Sequence, residues 1–137
     1  MKSVLIANRG EIALRIIAAL ADLDMRSVAV FTPDDATSLH VSQADHATAL
    51  PGRGVAGYLD GQAIIAAAKA AGCQAIHPGY GFLAERADFA QACQQAGLIF
   101  IGPSPETLAL LGSKTRAIAL ARSLDIPVIG SLPVGAS

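Results

Sequence analysis

The residues that could do chemistry fall in two short runs. In the first, His77-Pro78-Gly79-Tyr80-Gly81-Phe82-Leu83-Ala84-Glu85, a histidine, two aromatics, two glycines, a proline and a carboxylate share one loop-length stretch. Glycine lets a backbone approach a ligand closely. Tyr80, between two glycines, is poorly placed to fill a core and reads as a ligand contact. His77 precedes Pro78, which bars a relaxed helical conformation and sets it at a strand end. A structural histidine bonded to its own loop is favoured over an acid or base, because spacing places no carboxylate or nucleophile beside it. Glu85 reads as a cap for the helix that follows.

The second run is Gly112-Ser113-Lys114-Thr115. It ends like a phosphate-binding Walker loop, but position 108 is leucine and two helices flank it, so that reading fails. Lys114 stands in the first turn of a helix, where its charge opposes the macrodipole. An anion arriving there would meet backbone amides and an ammonium together; a solvated surface lysine is the other reading. A dinucleotide fingerprint is also excluded. The turn after the first strand offers only Gly10, so Asp34 at the end of the second has no glycine-rich partner for a ribose. Cys73 and Cys93 lack ligand spacing and read as buried or half-buried thiols in a reducing compartment. No metal site is predicted, and His40 and His46 read as surface residues.

These runs need elements to hold them, and the pattern supplies an alternation of strand and helix. Ser3 to Ala7 predicts a buried parallel strand, and Asn8-Arg9-Gly10-Glu11 has the form of a capping box that opens a helix. Ile12, Ile16, Ile17, Leu20 and Leu23 give that helix a sheet-facing stripe, with Arg15, Ala18 and Asp22 on its outer line. Arg26 to Phe31, His46 to Leu50, Gln74 to Ile76 and Leu98 to Ile101 predict the other strands. Ser38 to Asp45 reads as a short helical turn, Asp60 to Ala71 as a capped helix closed by Gly72, and Glu85 to Ala96 as the next helix. The fold class is α/β, a five-stranded parallel sheet with helices on both faces, followed by two short helices. Residues 1–112 form the domain, and 113–137 a linker helix and the start of another.

With 137 residues the chain has one domain's worth of core. Its charge of −1 and sequence pI near 6.2 give no basic face for nucleic acid or an anionic membrane. No window approaches the roughly 20 apolar residues of a span. A cytoplasmic location is the expectation.

Ala7-Asn8-Arg9-Gly10-Glu11-Ile12-Ala13, the His77 to Glu85 run, Phe100-Ile101-Gly102-Pro103 and Gly112-Ser113-Lys114 occur in an order and spacing that resembles the biotin carboxylases. These are the ATP-dependent components of acetyl-CoA, propionyl-CoA, acyl-CoA and pyruvate carboxylases. The resemblance implies a Rossmann-like pre-ATP-grasp domain. It implies an enzyme that phosphorylates bicarbonate with ATP to carboxyphosphate and carboxylates biotin on a carrier domain. Tyr80 and Gly81 would border the biotin pocket, and Lys114 would contact ATP. Mg2+ and most nucleotide ligands would come from sequence beyond this stretch, leaving the fragment inactive alone. Implied partners are the biotin carboxyl carrier domain, a carboxyltransferase component and a second copy through Arg15, Ala18 and Asp22. The family commonly has serine where Ala84 stands, aspartate where Ser113 stands and, in some members, arginine where Ala18 stands. Two other readings compete: another pre-ATP-grasp ligase, such as a carbamoyl-phosphate synthetase or purine-pathway carboxylase, and a stand-alone dimerisation or binding module.

Overall fold

A computed structural model describes residues 2–102 and residue 108. Five parallel strands form one sheet: β1 (Ser3–Ile6), β2 (Arg26–Phe31), β3 (His46–Ala49), β4 (Ala75–His77) and β5 (Ile99–Phe100), in the order β3-β2-β1-β4-β5. The helices are α1 (Gly10–Asp22), α2 (Leu39–Gln43), α3 (Gly54–Tyr58), α4 (Gly61–Ala70) and α5 (Ala87–Gln95), and a 3-10 turn spans Pro33–Asp35.

From Val4 to Ile6 strand β1 is apolar without a break because it is covered on both sides. Val4 and Ile6 pack with Ala13, Ile16, Ile17 and Leu20 of α1, whereas Leu5 joins Ile64, Ala67, Ala68, Phe89 and Cys93 from α4 and α5. The period of two along the strand therefore sorts its side chains between two cores. Asp60 caps α4 as the spacing predicts, accepting from the Ala63 amide at 3.1 Å. Cys73 and Cys93 are buried free thiols, and burial pushes the Cys93 thiol up to about 11. No described helix is long and apolar enough to cross a membrane.

Four expectations are corrected. Asn8 and Glu11 form no capping box: Arg9 is the N-cap of α1, with no side-chain cap. Arg86, not Glu85, is the N-cap of α5, and Glu85 remains exposed in the preceding turn. His40 is not a surface residue but is 1 % exposed, with Nε2 at 3.1 Å from the Val30 carbonyl oxygen. Pro51-Gly52-Arg53-Gly54, expected as a loop, gives way to helix at its last residue, because Gly54 opens α3, which buries Tyr58 completely. Lys114, the second of the two expected helices and the domain start at 113–137 lie outside the described residues. Of the first expected helix only Leu108 is described, helical and buried in the α4–α5 core.

Candidate functional site at the sheet switch point

The chain leaves β1 toward β2 and leaves β4 toward β5, yet β1 and β4 are neighbours. At such a point the two outgoing loops diverge and leave a crevice beyond the carboxyl ends of the strands. The sequence runs after β1 and after β4 lie there.

The amide of Ala7 donates to the His77 carbonyl at 2.9 Å and brings the two strand ends into register. One step further, Asn8 is 1 % exposed, and its Nδ2 donates to the Pro78 carbonyl at 2.9 Å and the Tyr80 carbonyl at 2.7 Å. Its Oδ1 accepts the Arg9 amide at 2.9 Å, so all of its polar atoms are engaged. This is why the capping box does not form. The carboxamide that would have closed the helix start instead holds a loop about 70 positions away in sequence. A polar residue directly after a fully apolar parallel strand was the signal available for this role.

Gly79 fits against that carboxamide with a φ of +67°. A Cβ there would stand 2.7 Å from Asn8 Nδ2 and 2.8 Å from Ile12 Cγ2. Gly81 shares the left-handed conformation at +68°, but a Cβ there would meet nothing within 4 Å. The first glycine is demanded by conformation and space, the second by conformation alone. Between them Tyr80 is 79 % exposed, fixed by its carbonyl while its ring stands free.

His77 accepts the Gly79 amide on Nδ1 at 3.1 Å, which puts the proton of the neutral ring on Nε2. Burial holds its imidazole below the ordinary 6.5, favouring that neutral form. His77, Gly79 and Tyr80 line a cleft of about 460 Å³ with Ile12 and Ile16 of α1, and Glu11 and Arg15 add one charge of each sign. Arg15 Nε lies 3.5 Å from Glu11 Oε1 on the solvent side of the helix, where Ala18 and Asp22 are exposed as well. The cleft can take a small, largely apolar ring with polar groups at its edge.

Tyr58, unremarked in the sequence, links Arg9 and Asp35 to the same loop. Arg9 Nη1 lies 3.1 Å from Asp35 Oδ2, the Tyr58 hydroxyl donates to that oxygen at 2.7 Å, and the Tyr58 ring stacks on Phe82 at 5.4 Å. The Tyr58 hydroxyl bond, joined by the Arg9 guanidinium, holds the Asp35 carboxyl below its usual value, while burial raises the Tyr58 phenol. Because the folded value of Asp35 is depressed, its contribution is whole above the ordinary 3.8 and fades as pH falls through the lowered value. Asp35→Asn is therefore expected to flatten the acid limb of stability against pH below about 4. Urea midpoints measured from pH 5 down to pH 2 check this, and an unaltered acid limb would contradict it. Asp34, considered for a ribose, accepts the Gly54 amide at 2.7 Å instead. Among the described residues no three His, Cys, Asp or Glu side chains gather as a metal site.

Residues 1–108 match a family described as the biotin carboxylase N-terminal domain. The chain belongs to that family. It is 50 % identical over 129 residues to a biotin carboxylase of Halalkalibacterium halodurans, which covers 93 % of this chain and 28 % of that protein. It is 51 % identical over 132 residues to the mitochondrial pyruvate carboxylase of Rattus norvegicus, covering 94 % of this chain and 11 % of the relative. Among solved structures, the biotin carboxylase domain of a single-chain bacterial carboxylase superimposes with a TM-score of 0.84 at 58 % identity, over 94 % of this chain and 30 % of that one. The chain thus spans less than a third of each of these proteins. The α/β fold with its five parallel strands is that of a biotin carboxylase N-terminal domain, and the carbamoyl-phosphate synthetase and purine-pathway readings are not favoured.

Proposed function

We propose that this chain is the N-terminal part of an enzyme that carboxylates carrier-bound biotin with ATP and bicarbonate, through carboxyphosphate. One observation carries the reading: in a biotin carboxylase N-terminal domain, Asn8 fixes the Tyr80 loop at the switch point of the sheet, beside a cleft of ligand size. Tyr80 and Gly81 border the biotin ring, with His77, Pro78, Gly79, Phe82 and Glu85 shaping the loop. Lys114 contacts ATP. Mg2+ and most nucleotide ligands are assigned to residues outside this stretch, so the 137-residue polypeptide alone does not turn over. A carrier domain and a carboxyltransferase component act with it, a second copy docks on the Arg15, Ala18 and Asp22 face, and the enzyme works in the cytoplasm.

Bicarbonate- and biotin-dependent ATP hydrolysis tests the reading. Turnover is expected from the full carboxylase containing this stretch and none from the 137-residue polypeptide; turnover by the latter would refute the division of the site. In the full enzyme Tyr80→Ala is expected to raise the KM for free biotin about tenfold or more, the worth of one stacking or hydrogen-bonding contact, and leave that for ATP nearly unchanged. Lys114→Ala is expected to do the reverse. Equal losses for both substrates in both variants would contradict the assignment.

A further inference from the structure

Phe82 has a φ of +46°, a left-handed backbone that a residue with a Cβ adopts only where its surroundings impose it. The Tyr58 ring is stacked on its side chain at 5.4 Å and 30° between planes. That ring is held in turn by its hydroxyl on Asp35, and Asp35 is held by Arg9, whose guanidinium also lies 5.7 Å from the centre of the Tyr58 ring. Arg9 is bonded through the backbone to Asn8, which grips the Tyr80 carbonyl. The contacts therefore close a ring. Two adjacent residues after β1 hold the Tyr80 to Phe82 segment at both ends, Asn8 directly and Arg9 by way of Asp35 and Tyr58.

We propose that Tyr58 and Asp35 are positioning residues for the biotin rim, setting through Phe82 the pose of Tyr80. Neither lines the cleft beside Tyr80, so their effect passes through the loop. The proposal rests on the functional reading above for its ligand, and on geometry alone for the loop. Tyr58 is fully buried inside the domain, which makes the hydroxyl a usable handle: Tyr58→Phe keeps the ring and removes the hydroxyl that donates to Asp35.

Two measurements test it together. In the 137-residue chain, amide hydrogen exchange at Ala84, whose amide donates to the Gly81 carbonyl at 2.8 Å across Phe82, is expected to quicken about tenfold in Tyr58→Phe, the worth of one buried hydrogen bond, while Leu5 and Val28 in the sheet keep their rates. In the full carboxylase, the same variant is expected to raise the KM for free biotin about five- to tenfold, with kcat and the KM for ATP within about twofold. Asp35→Asn, which keeps a carboxamide oxygen for the Tyr58 hydroxyl, is expected to give a smaller rise of about two- to threefold. Exchange that quickens equally in loop and sheet, exchange that does not change, or a loosened loop with an unaltered biotin KM would each overturn the proposal. If the unmutated full enzyme shows no biotin-dependent turnover, the functional reading falls, and the exchange measurement alone then decides whether Tyr58 positions the loop.

Discussion

Asn8→Ala is expected to lower folding stability by about 2–3 kcal/mol, because it strips the buried Pro78 carbonyl and the part-buried Tyr80 carbonyl of their shared donor and leaves a small void. For a chain of this length that corresponds to a melting temperature lower by roughly 10 °C. Asn8→Asp separates the bonding account from a packing account. Aspartate has nearly the same shape, so packing predicts recovery, whereas bonding predicts a loss at least as large as for alanine. A carboxylate oxygen would face two carbonyl oxygens that now accept from Nδ2 at 2.9 and 2.7 Å. In the full carboxylase both variants are expected to raise the KM for free biotin more than that for ATP. Thermal unfolding and substrate-resolved kinetics check these outcomes, and an aspartate variant as stable as the parent would refute the clamp.

A comparable loss is expected from Gly79→Ala, and a smaller one from Gly81→Ala. Both glycines have φ near +67°, where alanine costs about 1–2 kcal/mol. At Gly81 that is the whole expected cost, because the space beside it is open. At Gly79 the new methyl would stand 2.7 Å from a carboxamide already bonded on every polar atom and 2.8 Å from Ile12. Relief by shifting packed neighbours adds about 1–3 kcal/mol, for a total of roughly 2–5 kcal/mol. Urea denaturation of the two variants side by side reads the difference directly; equal losses would mean that the loop does not press on Asn8.

The sheet was legible because its signals are local. Arg26 to Phe31 is bounded by Met25 and by Thr32-Pro33, and the strand runs over those six residues. The Asp60 cap lies three residues from the amide that it accepts. The site was legible only in part, because its bonds are long-range. Asn8 and Glu11 satisfied the local pattern of a capping box, but a pair of carbonyls supplied by the β4 loop competes for the same carboxamide, and nothing near Asn8 in sequence announces them. Tyr58 was hidden for a related reason: Gly52 and Gly54 make its surroundings look like a plain turn, and its partners Asp35 and Phe82 come from two other connections. His40 carried no local signal of burial, since its partner, the Val30 carbonyl, lies on β2 ten positions earlier. The exposure of Tyr80 was legible because an aromatic between two glycines is poorly placed to fill a core.

The central claim is that a loop clamped at the β1–β4 switch point forms the biotin side of a carboxylation pocket. The most direct measurement transplants it: residues 1–108 of this chain replace the matching stretch of the Halalkalibacterium halodurans biotin carboxylase, to which the chain is 50 % identical. The hybrid is expected to hydrolyse ATP faster on addition of free biotin and bicarbonate, and to lose that biotin response, but not ATP binding, when Tyr80 is changed to alanine. A folded hybrid that binds ATP yet shows no response to biotin, or one whose response survives Tyr80→Ala unaltered, would contradict the account.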